Sequence, residues 1–184
     1  MFILRKAYSF LIDTVQTLLL AASVFLVIYI FLFRPFQVSG LSMFPTFHNG
    51  DYILTNLITL KLGDVKRGDV VVFIAPPDHE KDFIKRIIGL PGDTIYLKNG
   101  SVYLNNQKLD ESRYLNPNVK TYGEGFLKDG ETITVPPDEY FVMGDNRPYS
   151  SDSRDWGFVK KSELIGESFF VYWPPSRIRI VKNP

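Results

Sequence analysis

Three short segments of the 184-residue sequence hold side chains at spacings suited to covalent chemistry. The first, Phe36-Gln-Val-Ser-Gly-Leu-Ser-Met-Phe-Pro-Thr46, sets a hydroxyl, Ser42, between flexible Gly40 and rigid Pro45. An activated serine needs an exposed hydroxyl and backbone N–H groups aimed at a developing oxyanion; a glycine in the approach allows that close geometry. The alternative is a turn serine that only satisfies backbone groups. The second segment, Phe83-Ile-Lys-Arg-Ile-Ile-Gly-Leu-Pro-Gly-Asp93, puts Lys85 in an apolar run. On a strand, Phe83, Lys85 and Ile87 share one face and Ile84, Arg86 and Ile88 the other, so one of two adjacent cations points to whichever face is buried. A desolvated lysine gives up its proton more readily and can serve a serine as general base. On an exposed edge strand both cations would be solvated. The third segment runs Gly144-Asp-Asn-Arg-Pro-Tyr-Ser-Ser-Asp-Ser-Arg-Asp-Trp-Gly157. Asp152 and Arg154 could pair there and Ser150 could orient a lysine, or the stretch could be a solvated polar loop.

Composition narrows the chemistry further. The chain has no cysteine, which excludes a thiol nucleophile, a disulfide framework, an iron–sulfur cluster and cysteine-ligated zinc. Only two histidines are present, His48 in the turn Phe47-His-Asn-Gly50 and His79 in Pro76-Pro-Asp-His-Glu80. Both read as solvent-facing turn residues, poorly placed for a Ser-His-Asp triad. Asp152, Gly157 and Glu163 fall at positions 1, 6 and 12 of a calcium-loop register, but Arg154 and Trp156 would occupy positions 3 and 5 and cannot ligate the ion. No metal or cofactor is expected. With 21 Lys+Arg against 20 Asp+Glu, the charge of +1 argues against nucleic acid held on a broad basic surface.

These segments need elements to hold them. The mean hydropathy of −0.02 averages two unlike parts. Residues Thr14 to Phe33 form an uncharged apolar run of twenty residues, about 30 Å as a helix and enough to cross a bilayer. The run is longer than a cleavable signal's apolar core, and no small-x-small site follows it directly, so an uncleaved anchor is expected. Arg5 and Lys6 precede it and only Arg34 follows closely, which favours a cytoplasmic N-terminus and an external C-terminal domain. The remainder reads as strands: Tyr52–Leu57, Asp69–Ile74, Phe83–Ile88, Thr94–Lys98, Ser101–Leu104, Thr132–Val135, Tyr140–Met143, Ser168–Trp173 and Arg177–Val181. Asn99-Gly100 signals a type I′ hairpin. Arg177-Ile-Arg-Ile alternates, so one face should be wet. Asn116–Gly130, rich in Gly, Asn and Lys, reads as a mobile loop. The expected division is residues 1–13 as a short cytoplasmic end, 14–33 as membrane anchor, and 34–184 as an extracytoplasmic catalytic β-domain.

Taken in order, the anchor, Ser42-Met-x-Pro-Thr46, Arg67-Gly-Asp-Val-Val71, Lys85-Arg-x-x-Gly-Leu-Pro-Gly-Asp93 and Gly144-Asp-Asn-Arg-x-x-Ser-x-Asp-Ser-Arg154 resemble the bacterial type I signal peptidases, membrane-bound Ser/Lys proteases. The resemblance implies a mostly β fold of coiled antiparallel sheets behind one N-terminal transmembrane helix, in the compact form without an inserted second domain. It implies Ser42 as nucleophile, Lys85 as general base, Ser150 as the serine that orients the lysine, and Asp152 and Arg154 as a structural pair. Asp145 and Arg147 lie in the same box with supporting roles. Some relatives have a hydroxyl two residues before the nucleophile, where this chain has Gly40, which has none; the hydroxyl of Ser39 is one residue further off. Implied partners are the signal peptides of exported preproteins, met during or after passage through the secretion translocon, and the lipid bilayer. Cleavage would follow a small-x-small motif. Two rivals are a Ser/Lys peptidase of the self-cleaving repressor type and a membrane-anchored β-domain acting as a non-catalytic adaptor.

Overall fold

No glycine or proline interrupts the chain before Pro35, so nothing breaks a helix once it starts. The computed structural model, which describes residues 2–181, shows the first element, α1, as one helix over Phe2–Leu32. Within it Arg5–Tyr29 is long and apolar enough to cross a membrane, with a mean hydropathy of 2.1 in its most apolar window. Its few hydroxyls turn back on their own helix: those of Ser9, Thr14, Thr17 and Ser23 donate to carbonyls four residues earlier. Such bonds satisfy a polar group without water. Phe33, expected to end the helix, instead opens β1, because Pro35 forces Arg34 into extended backbone. The chain divides into two units between Phe33 and Arg34.

The second unit is built of short strands. After β1 (Phe33–Gln37) come β2 (Tyr52–Asn56), the one-turn helix α2 (Thr59–Leu62), β3 (Val70–Ala75), β4 (Asp78–Gly89), β5 (Thr94–Lys98), β6 (Ser101–Leu104) and β7 (Gln107–Lys108). Then follow β8 (Thr132–Thr134), β9 (Glu139–Met143), α3 (Ser153–Trp156), β10 (Val159–Lys160), β11 (Leu164–Trp173) and β12 (Arg179–Ile180). One sheet runs β1-β2-β11-β3-β4-β9-β10 with β12 on β11; a second runs β7-β6-β5-β8. Pairing is antiparallel from β2 through to β10 and throughout the small sheet. The mostly β, antiparallel fold is the one the sequence implies.

β3 reads Val-Val-Val-Phe because both of its faces are covered. Val70 and Val72 join the core that holds Val38, Met43, Phe47 and Ile53, while Val71 and Phe73 join Ile87, Tyr140 and Val142 on the other side. A third cluster, around Ile95, Leu97, Val102 and Phe141, includes residues of the small sheet. The Asn99-Gly100 turn has φ of +53° and +71°, the two positive angles a type I′ hairpin requires.

Several expectations are corrected. β4 begins five residues before Phe83, so His79 lies on an exposed strand rather than in a loop. β11 begins at Leu164, not Ser168. His48 is only partly exposed, and its Nδ1 is buried 4.0 Å from Asp51. At the C-terminus the strand among the described residues is Arg179–Ile180 and not Arg177–Val181; one face is wet, as expected, and it is that of the isoleucines: Ile178 is 53% and Ile180 71% exposed. Their neighbours Arg177 and Arg179 turn toward Asp51, a fully buried carboxylate that needs a cation. Residues 116–130 contain no helix or strand, yet they are packed into the domain. Leu127 is fully buried, and the N–H groups of Phe126 and Leu127 donate to the Arg154 carbonyl.

Candidate active site

Ser42 sits in a tight turn after β1. Gly40 enters that turn at φ +99°, a left-handed angle that favours glycine, and its N–H is taken by Asn49 Oδ1. Met43 and Phe47, both buried, plug the turn into the core below. Lys85 stands on β4, paired through the backbone with Val71 of β3. The two side chains meet: Lys85 Nζ is 2.8 Å from Ser42 Oγ. Lys85 is 4% exposed, and the Phe83 ring lies 5.1 Å from its ammonium. Burial pushes its pKa from 10.5 down to about 8, against the pull of the Asp152 and Asp145 carboxylates, which raise it. Sequence reasoning required one of Lys85 and Arg86 to be buried; in the structure both are.

Arg86 is tolerated because Asp145 takes it in a fork, with Nε to Oδ1 at 2.8 Å and Nη2 to Oδ2 at 2.7 Å. Thr46 Oγ1 donates to the same carboxylate at 2.5 Å, and Asn146 donates to the carbonyls of Ser42 and Leu41. Asp145 therefore ties the serine turn to the strand of the lysine. Arg147 has a different partner. It donates to Glu111, Thr121 and the Gly144 carbonyl, pinning the 111–121 stretch behind the site. Asp152 and Arg154 pair at 2.8 Å; Asp152 also accepts from the Gly144 N–H, and Arg154 donates to the carbonyls of Arg147 and Ser150. Ser150 Oγ is buried but makes no hydrogen bond among the described residues, so the expected bond to Lys85 is not formed here. Thr46, Arg86, Glu111, Thr121 and Asn146 were not singled out from the sequence. Arg86, a charge in an apolar strand, left a signal, and Thr46 and Asn146 lay within the motifs quoted above; Glu111 and Thr121 left none.

Gly144 is a contact point between these parts. A methyl group there would collide with Ser150 Oγ and the Ser42 carbonyl. Gly144→Ala is expected to destabilise the domain by about 1–3 kcal/mol and to lower turnover by displacing Ser42. Thermal melting read alongside turnover checks this; wild-type values in both would show that the turn adapts.

A groove of about 320 Å³ opens over Ser42 and Lys85, lined by residues 36–42 on one side and 82–85 on the other, with Tyr149 and Ser151 at its rim. Neither histidine lines it. Among the described residues no group of three or more histidine, aspartate and glutamate side chains is arranged to hold a metal ion. The sequence profile described as signal peptidase, peptidase S26, matches residues 11–173. The chain belongs to this signal peptidase family. It is thus a serine-type peptidase, and both rival readings fall. It is similar to signal peptidase I P of Bacillus subtilis subsp. natto, 38% identical over 182 residues and 97% of each chain. It is 40% identical to a signal peptidase I of Bacillus amyloliquefaciens over 95% of this chain and 94% of the other. Signal peptidase IB of Staphylococcus aureus is 33% identical over 94% of this chain and 96% of its own. A solved signal peptidase I of Enterococcus faecalis aligns with a TM-score of 0.47 at 33% identity, over 56% of this chain and 96% of that one.

Proposed function

We propose that this signal peptidase cleaves signal peptides from exported preproteins through a Ser42/Lys85 dyad. The observation that carries the reading is the 2.8 Å contact between Ser42 Oγ and a buried, pKa-depressed Lys85. A protonated Lys85 donates to Ser42 in this contact. Once neutral, its lone pair accepts the Ser42 proton as Oγ attacks the scissile carbonyl. The Ser42 N–H supplies an oxyanion donor, while Gly40 has no hydroxyl to add a second. The proton on Lys85 passes to the leaving amine. Lys85 then takes a proton from water, which hydrolyses the acyl-enzyme and restores the serine.

The substrate lies extended beside β4. In the large sheet β9 pairs with β4 at Arg86, Ile87 and Gly89, which leaves the β4 edge open before that point. An added strand gains backbone hydrogen bonds there. Small residues at the first and third positions before the cut would fit the groove. Helix α1 anchors the enzyme in the bilayer, with Arg5 and Lys6 on the cytoplasmic side and the catalytic domain outside, where preproteins emerge from the translocon.

The pH dependence tests the base. Because Lys85 must be neutral, kcat/KM on a preprotein in detergent should rise with pH through about 8 and level off above it, with the cut mapped by mass spectrometry after a small-x-small motif. A rate still rising at pH 10.5, the ordinary lysine value, would mean the ammonium is solvated and the proposed base is wrong.

A further inference from the structure

The groove over the Ser42–Lys85 pair is neutral along most of its wall, with one acidic exception. Among the described residues Asp82 is the only acidic one that lines it, and Lys85 the only basic one. Among the described residues the Asp82 carboxylate has no ion-pair or hydrogen-bond partner, and the side chain is exposed. Its backbone pairs with Ile74 of β3 on one side only, so its other edge borders the groove. A free carboxylate at the wall of a peptide-binding groove favours a cation on the bound peptide.

The register follows from strand geometry. Asp82 precedes Lys85 by three residues, about 10 Å along the strand. Past Lys85 the edge of β4 is occupied by β9, so a peptide can extend along β4 only toward Asp82. Our inference places on this edge the half that stays covalently attached in the acyl-enzyme, the residues before the cut. With the first of these level with Lys85, the fourth lies level with Asp82. We infer that Asp82 is a specificity-determining residue that favours a lysine or arginine at about the fourth substrate position before the cut. The inference rests on the proposed reaction. Asp82 is not among the charges that act on Lys85, which are Asp152 and Asp145, so its replacement should leave the pH profile of the reaction in place.

The test uses the full-length protein in detergent and fluorogenic peptides with alanine at the first and third positions before the cut and lysine, alanine or glutamate at the fourth. The wild type should prefer lysine over glutamate by about three- to fivefold in kcat/KM, in the range of an exposed ion pair. The preference should shrink toward one at 1 M salt, where the screening length is about 3 Å. Asp82→Asn should remove it and Asp82→Lys should reverse it, with the apparent pKa of the rate unchanged in both. Equal lysine-to-glutamate ratios in wild type and Asp82→Lys would overturn the inference, as would a shifted pKa that accounts for the change in rate. Peptide binding to the Ser42→Ala protein, followed by fluorescence anisotropy, reads the same preference without turnover. A failure of the dyad proposal therefore shows as altered cleavage chemistry, while a failure of this inference shows as equal affinities for the lysine and glutamate peptides.

Discussion

Ser42→Ala and Lys85→Met are each expected to lower turnover of a preprotein by on the order of 10⁴-fold or more, the loss seen when one member of a nucleophile–base unit is removed. The contact explains why the effects should be alike: the groups lie 2.8 Å apart, and in the proposed dyad neither acts without the other. The double variant should be no slower than either single one, because residues that act as a unit are not additive. Folding should respond differently. Lys85 is 4% exposed, so replacing its amine by the unbranched, apolar methionine removes the cost of desolvating an ammonium and should hold or raise the melting temperature. Incubating purified variants with a preprotein in detergent, with melting curves on the same samples, separates loss of chemistry from loss of fold. Undiminished cleavage by either variant would sink the dyad.

The second large effect is structural. Arg86 and Asp145 are 1% and 0% exposed at their side chains and are joined by two hydrogen bonds. Removing one partner leaves a buried, uncompensated charge, which costs about 3–5 kcal/mol. Asp145→Ala and Arg86→Met should each lower the melting temperature by roughly 10 °C, at about 2–4 °C per kcal/mol for a domain of this size. Asp145→Ala also strips the acceptor from Thr46, so it should misplace the serine turn and reduce turnover beyond what instability explains. The Arg86→Met, Asp145→Ala double variant should lose much less than the sum of the two single losses, since no charge is left unpaired. Additive losses would show that the pair's attraction, and not the orphaned charge, dominates.

Much of this site was legible because its signals are local. A serine between glycine and proline, a lysine in an apolar run and a polar box after an apolar strand are each contained in a dozen residues. What was not legible is who meets whom. The sequence could not separate Asp145 from Arg147; the structure gives Asp145 to Arg86 across 59 residues and Arg147 to Glu111 across 36. No periodicity encodes such distant pairs. The direction of burial at the C-terminus was also not legible. Alternation showed that one face is wet but not which, and the buried Asp51 drew the arginines inward and left Ile178 and Ile180 outside.

By itself the sequence determined the kinds of chemistry open to this protein and the elements that hold them. Absence of cysteine, an unbroken apolar helix, short β-rich runs and the Asn99-Gly100 turn follow from residue type and near neighbours, where propensity and sterics decide. Tertiary structure alone decided the contacts and burial of the groups. It closed 43 residues of chain to bring Lys85 against Ser42, buried the amine until its pKa fell to about 8, and gave each buried arginine a carboxylate. The physical reason is that desolvation and charge pairing depend on what surrounds a group in space, and those surroundings come from strands far apart in the chain.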